Sequence, residues 1–292
     1  MKYPVDLHQH TSYSPDAQYT PDELFCIAKE KGMHAIVATE HNVVRGIPDA
    51  IAASKKYGVK TVQGIEISTK HSKADVHVLG YSRAFNLALL HERTRATRKG
   101  YTERSRVIAE KINDAGIAKV DFTILEQQFK DSYVVKPQIA KVIAEQRGIE
   151  YAKALKFVER GGPGYVPYGD WAMTPHQAVD LIHQANGIAV LAHPGDFYTT
   201  RSSEEPMQAR KTLHALVAEL VLEYQLDGLE VYYSKHEPTW CKEFLKLAEQ
   251  YSILITGGSD YHGPAFTPNI AMGDGGISIK QFENFYRQLP SV

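Results

Sequence analysis

Short apolar runs alternate with stretches in which apolar residues recur every three or four positions, and the two periods assign strands and helices. Val5-Asp6-Leu7 reads as a short strand. Thr20-Pro21-Asp22-Glu23 then opens a helix, with Thr20 at the N-cap, Pro21 at the first helical position and Glu23 closing a capping box. Gly32 ends that helix, Ala35 to Thr39 is the second strand, and Pro48 to Tyr57 is a helix closed by Gly58. Lys60 to Ile67 and Asp75 to Tyr81 follow as strands. The pattern then changes: Leu87 to Ala115 is a long charged helical stretch, followed by shorter helical patterns at Thr123 to Phe129, Pro137 to Gln146 and Tyr151 to Arg160, with no strand among them. After the turn-rich Gly161-Gly162-Pro163-Gly164 the alternation resumes. Helices at Thr174 to Ala185, Glu204 to Tyr224 and Thr239 to Tyr251 lead to strands at Ile188 to Ala192, Leu229 to Tyr233 and Ile253 to Thr256.

Seven strands mostly separated by helices predict parallel pairing with right-handed crossovers in a barrel-like α/β fold. Residues 1–85 and 171–292 form its two parts, and 86–170 is a helical insertion. A chain of 292 residues accommodates this, and 43% hydrophobic with 23% charged residues excludes disorder and fibres. No apolar stretch approaches the roughly 20 residues of a membrane span and Met1 to Leu7 lacks a signal core, so a cytoplasmic protein is expected. The formal charge of −1 removes any broad basic field, so a polyanion site has to be local. Cys26 and Cys241 fall in helical patterns and read as buried free thiols.

Thirteen histidines against two cysteines direct attention to metal held by imidazole and carboxylate. In parallel barrels the functional groups collect at the carboxyl ends of the strands, and six of the histidines fall on such motifs. His8-Gln9-His10 follows strand one, Glu40-His41 strand two, His193-Pro194-Gly195 strand five and Asp260-Tyr261-His262 strand seven; strand three carries Glu66 and strand four His77. Residues two apart in extended backbone share a side, so His8 and His10 can grip one ion. With Asp16, nine groups converge: His8, His10, Asp16, His41, Glu66, His77, His193, Asp260 and His262. Nine exceed the needs of one ion, so two or three divalent ions sharing carboxylates fit better, with Glu66 and Asp260 as the bridging candidates.

These residues carry a resemblance. Asp6-Leu7-His8-Gln9-His10 with Ser14-Pro15-Asp16, Ala38-Thr39-Glu40-His41, Gly64-Ile65-Glu66-Ile67-Ser68, His77-Val78-Leu79-Gly80, Ala192-His193-Pro194-Gly195 and Gly258-Ser259-Asp260-Tyr261-His262 resemble the motif set of the PHP (polymerase and histidinol phosphatase) superfamily of metal-dependent phosphoesterases. The insertion and the Gly164-Tyr165-Val166-Pro167 to Trp171 segment are most similar to the branch of nucleoside 3',5'-bisphosphate phosphatases, some of which trim short RNA from its 5' end. The resemblance implies a distorted (β/α)7, TIM-like barrel with the insertion capping a trinuclear site. Manganese is foremost, with iron, zinc or magnesium as alternatives. It implies one ion on His8, His10, Glu66 and Asp260, a second on Glu66, His77 and His193, and a third on Asp16, His41 and His262. Two positions depart from the pattern. Glu40 replaces an aspartate that would support His41, and Lys136-Pro137-Gln138 stands where the branch tends to carry Arg-x-His.

Phosphate esters resist hydrolysis through their own negative charge, so clustered cations that neutralise oxygens and acidify a water between them suit this chemistry. Asp260 is the candidate for orienting that water, with His193 or His236 as donors to the leaving group. Arg104, Lys136 and His236 are the candidate substrate contacts, Arg93, Arg95, Arg98 and Lys99 a candidate polyanion track, and Tyr165, Tyr168 and Trp171 candidates for stacking on a base. The expected substrate is a small nucleotide phosphate, a 3',5'-bisphosphate cleaved to the 5'-monophosphate. Alternatives are a histidinol-phosphate-type phosphatase, a 5'-3' exoribonuclease on short oligoribonucleotides and a non-catalytic metal-binding module. An amidohydrolase is disfavoured because no strand-borne lysine is available to bridge two metals. No membrane and no obligate protein partner are implied.

Overall fold

The same residues that alternate in sequence form seven strands in two sheets. The computed structural model describes residues 3–71, 74–130, 132–200 and 206–290. Strand β1 (Val5–Gln9) pairs in parallel with β2 (Ala35–Ala38). A five-stranded sheet has the order β3 (Gln63–His71), β4 (Ala74–Ser82), β5 (Ile188–Leu191), β6 (Gly228–Tyr233) and β7 (Leu254–Gly258). Single parallel bridges, His41 to Glu66 and Gln9 to Tyr261, connect the smaller sheet to segments at either edge of the larger one.

Parallel pairing, expected throughout, holds for β1 with β2, β5 with β6 and β6 with β7, whereas β4 is antiparallel to both neighbours. The reason is length. His71 and Ala74 are register partners across a two-residue connection, which permits a hairpin, whereas a parallel return needs a dozen or more residues. The hairpin also carries β3 past the predicted Ile67 to His71.

Helix α1 (Pro21–Glu30) has the predicted Thr20 capping box, and α2 (Ile47–Tyr57) ends on Gly58 at φ +69°. The long predicted helix is two, α3 (Leu87–Arg93) and α4 (Arg95–Asp114). At the break, the Thr94 hydroxyl bonds back to the Leu90 carbonyl at 2.8 Å and receives the Arg98 guanidinium at 2.5 Å. Such back-bonding competes with the helix ladder and bends it. Next come α5 (Phe122–Gln128), α6 (Lys136–Arg147), and α7 (Tyr151–Leu155), which ends short of the predicted Arg160. Residues of α4 to α7, with Val120, Val134 and Val158, share an apolar cluster of their own, including Ile108, Ile112, Leu125, Ile139 and Ile143. After α8 (Pro175–Gln184) comes a short α9 (Asp196–Thr200) that the periodicity does not predict, then the predicted α10 (Pro206–Tyr224) and α11 (Pro238–Tyr251). Glu204 and Glu205 of the predicted α10 lie outside the described residues. A final α12 (Ile279–Gln288) is also absent from the sequence reading, although Ser278 with Gln281 is a capping box ahead of Phe282 and Phe285. The main core packs Ile65, Ile67, Val78, Leu191, Leu229 and Val231 against α8, α10 and α11, and α12 seals a second cluster with Val5, Leu7 and Val190. Cys26 and Cys241 are in no disulfide and are only partly buried.

Candidate metal centre and active site

The strands deliver the predicted groups to one place. His8 lies on β1 and His10 one residue past its end, with ring centroids 5.3 Å apart. His41 follows β2 and is bridged to Glu66 on β3, while His193 follows β5 and Asp260 and His262 follow β7. The Asp260 N–H donates to the His8 carbonyl at 2.8 Å, which fixes the β7 loop to β1. His77 comes from the first half of β4, since a reversed strand begins at the end where its neighbours finish. His193 and Asp260 adopt positive φ, +24° and +56°, backbone states that non-glycine residues hold only when their surroundings enforce them.

Six buried side-chain atoms of the cluster have no hydrogen-bond partner, Asp16 Oδ1 and His41 Nδ1 among them, and the other four converge: His8 Nε2, His10 Nε2, Glu66 Oε2 and Asp260 Oδ1. These four face one another at 3.1–3.4 Å and together could hold a metal ion. Stranding four buried polar atoms would cost several kcal/mol, of order 1–3 each, unless a cation completes them. The residues therefore fit the metal that the motifs imply. Two further groups could hold an ion, His41 with Glu66 and His77, and His10 with His41 and His262. His193 Nε2 lies 3.1 Å from Glu66 Oε1, the oxygen that also meets His77 Nδ1 at 2.8 Å. Asp16 Oδ1 stands 3.9 and 3.8 Å from His41 and His262. All nine predicted groups are thus brought together, with Glu66 central.

The charge pattern follows from that crowding. Burial works to raise the Glu66 carboxyl, but His77, His41 and His8 outweigh it and hold it well below the usual range. Asp260 is depressed the same way, burial being overcome by His262, His8 and His10. His262 is pushed down to about 4 by burial and by neighbouring His10, which leaves its ring a neutral ligand at neutral pH.

Buried acids outside this cluster hydrogen-bond its members or the backbone beside them. Glu230 on β6 is one that sequence reasoning misses, although an acid inside Gly228-Leu229-Glu230-Val231 is a visible break in an apolar strand. Its carboxylate accepts from His8 Nδ1 at 3.0 and 3.2 Å and from the His193 N–H at 2.8 Å. Asp6 accepts from the N–H groups of Ser259 and Gly273. Glu40, expected to support His41, instead accepts from the Thr11 and Ser14 hydroxyls at 2.6 Å each. Ser14 Oγ in turn accepts from His10 Nδ1 and the His41 N–H, both at 3.0 Å, so the longer side chain supports the His10 ring and only the backbone of His41.

Beside the cluster opens a cavity of about 250 Å³. Asp16, His41, His77 and His193 line it, together with Arg104 and Lys136 from the helical segment, the carboxylates Asp75 and Asp196, and Tyr101, Tyr133 and Tyr168. Arg104 is anchored by its Nε to the Val166 carbonyl at 2.8 Å, its guanidinium 4.4 Å above the Tyr168 ring. Other expected contacts are engaged elsewhere. His236 does not line the cavity and has both ring nitrogens engaged by backbone, Nε2 accepting from the Gly195 N–H at 3.0 Å and Nδ1 facing the Val231 carbonyl at 2.9 Å. Trp171 packs on Tyr101 and directly over Gly100, where a Cβ would meet its ring at 2.0 Å. Arg98 is spent on the Asn42 carbonyl and on Thr94, and Lys111 bonds the Tyr165 carbonyl.

No helix among the described residues is long and apolar enough to cross a membrane. Comparison with known proteins matches the PHP domain to residues 6–161. The chain is 26% identical to the 3',5'-nucleoside bisphosphate phosphatase of Chromobacterium violaceum, over 96% of this chain and 92% of that one. It is 29% identical to the 5'-3' exoribonuclease Rnm of Escherichia coli, over 92% of this chain and 87% of that one. A solved structure described as a metal-dependent phosphoesterase, from Bifidobacterium adolescentis, shares the fold with a TM-score of 0.81 at 22% identity, covering 99% of this chain and 97% of the other. With a converging histidine and carboxylate cluster at the ends of its strands and the PHP domain matched over more than half its length, the chain belongs to the PHP domain family and is a hydrolase.

Proposed function

We propose that this hydrolase cleaves phosphate monoesters of small nucleotides, converting a nucleoside 3',5'-bisphosphate to the 5'-monophosphate and phosphate. One observation carries the reading: the orphaned atoms of His8, His10, Glu66 and Asp260 belong to a cluster whose His41, His77 and His193 line a cavity together with Arg104 and Lys136. A molecule with two phosphates has one for the metal cluster and one for these cations. Divalent ions held by the nine groups, with manganese foremost, would neutralise the phosphate oxygens and make a bound water acidic enough to attack at neutral pH. Asp260 orients the attacking water, and His193, which lines the cavity, is placed to donate a proton to the departing oxygen. Arg104, pre-set by Val166 and Tyr168, presents the rest of its fork to the second phosphate, and Lys136 adds a point charge. The tyrosines narrow the space to a small substrate. In this reading the seven strands form a distorted (β/α)7 barrel, supported by the bridges between the two sheets, and 86–170 caps its mouth, supported by the shared cavity.

Phosphate release from adenosine 3',5'-bisphosphate and from histidinol phosphate at equal metal loading tests the proposal. Preference for the bisphosphate is expected, and preference for histidinol phosphate would reject it. Similarity to an exoribonuclease supports a second reading on short RNA. Phosphate or nucleotide release from labelled di- to hexanucleotides, with turnover rising with length, would favour that reading instead.

A further inference from the structure

Glu230 lies outside the cavity and outside the three groupings that could hold an ion, yet it is fully buried between two of the residues that line the metal centre. Burying a carboxylate is costly unless donors surround it. Here the donors are His8 Nδ1 at 3.0 and 3.2 Å and the His193 N–H at 2.8 Å. Its neighbours Leu229 and Val231 join the apolar core on one side of β6, and alternation turns Glu230 to the opposite side, toward β1 and the end of β5.

We propose that Glu230 is a positioning residue that sets the tautomer of His8 and the backbone turn of His193, and thereby builds two ligand positions from one side chain. This rests on the metal reading of the cluster. A carboxylate only accepts, so the His8 ring proton is held on Nδ1, which leaves the Nε2 lone pair aimed between Glu66 Oε2 and Asp260 Oδ1, 3.4 Å from each. The second contact fixes a peptide whose residue stands at φ +24°, a conformation with no intrinsic preference to sustain it. On this geometry the isosteric amide should not replace the carboxylate. If the side-chain amide nitrogen introduced by Glu230→Gln faced the His193 N–H, two donors would oppose each other. If instead it faced His8, the ring would have to accept there and carry its proton on Nε2, the metal-facing atom, or rely on the longer 3.2 Å contact alone.

The test uses zinc alone as the probe, on Glu230→Gln, His8→Ala and wild-type protein, with affinity from chelator competition and bound metal from elemental analysis. Glu230→Gln is expected to weaken zinc binding about 10- to 100-fold, with its circular dichroism unchanged. Wild-type affinity in Glu230→Gln alongside a loss in His8→Ala would overturn the role of Glu230 while sparing the metal site. Wild-type affinity in both would overturn the metal reading and this inference with it. A second measurement needs no variant. In zinc-loaded protein labelled with 15N-histidine, His8 must show its proton on Nδ1, and a proton on Nε2 would refute the proposal.

Discussion

The hydroxyl of Tyr233 donates to Asp260 Oδ2 at 3.2 Å, while Asp260 Oδ1 has no hydrogen-bond partner and lies 3.1 Å from His10 Nε2 and 3.4 Å from His8 Nε2. One oxygen is anchored and the other is left for the metal centre. Asp260→Asn keeps the Tyr233 contact and tolerates the φ of +56°, since asparagine is enriched in that region. It should therefore fold normally and lose turnover by orders of magnitude. Tyr233→Phe removes only the anchor, worth about 1 kcal/mol, or roughly fivefold in rate. Steady-state rates at matched metal content check both, and a near-normal Asp260→Asn rate with full metal would reject the site assignment.

Two substitutions act on His10 through its supports. Ser14→Ala removes the acceptor that holds the His10 Nδ1 proton, and Glu40→Asp retracts the carboxylate that orients the Ser14 hydroxyl. Each should weaken metal binding by about 10-fold or more, within the range of outer-contact losses at metal sites. Ser14→Ala should be the more severe, because it also strands the His41 N–H. Isothermal titration with zinc measures the order.

What the sequence disclosed and what it hid divide along physical lines. All seven strands and the nine converging groups were legible because alternation marks a strand and short motifs at strand ends mark a site. The reversal of β4 was not, since pairing direction depends on a two-residue connection that apolar periodicity does not report. Glu230 escaped because its partners, His8 and His193, lie 222 and 37 residues away. The role of Glu40 escaped because the carboxylate reaches Ser14 and Thr11 from across the β1 loop rather than the adjacent His41. His236 looked functional by its place in a loop after β6, and only the structure shows both nitrogens engaged.

Lys136 lines the cavity at the start of α6, apart from the groups that could hold an ion. Lys136→Ala should raise KM about 10-fold for a bisphosphate while changing kcat less, the signature of binding lost equally from ground and transition states. Monophosphate substrates should be affected much less. An equal effect on both substrate classes would remove Lys136 from the second phosphate.

Gln138 stands where the resembling branch tends to have histidine, and here its side chain is a strut. Buried, it accepts from the Val135 N–H at 2.8 Å and donates to the Pro15 carbonyl, joining α6 to the loop that carries Asp16. Gln138→Ala leaves both backbone groups short of a partner and should cost about 1–3 kcal/mol. Urea denaturation reads this directly. A large stability loss with KM changed by less than about threefold would separate the strut from a substrate contact.

Acid should act on the fold in part through His236. Burial pushes its ring below the ordinary 6.5, and the geometry agrees, because Nε2 accepts from the Gly195 N–H and cannot take a proton without losing that bond. A histidine held neutral in the fold but free to charge when unfolded makes the unfolded state bind more protons. Its contribution is therefore complete above 6.5 and declines as pH falls below that value, until the folded ring also protonates. His236→Phe retains a ring against Trp240 and Phe244 but forfeits both hydrogen bonds, so it should melt lower than wild type at a pH of about 7.5, where the histidine is neutral in both states. It should also lose less on moving to a pH of about 5.5, because its share of the acid sensitivity is gone. Other buried histidines, His262 among them, titrate in both proteins, so the quantity to compare is the difference between the two melting shifts. Equal shifts in wild type and variant would show that His236 is not held neutral by the fold.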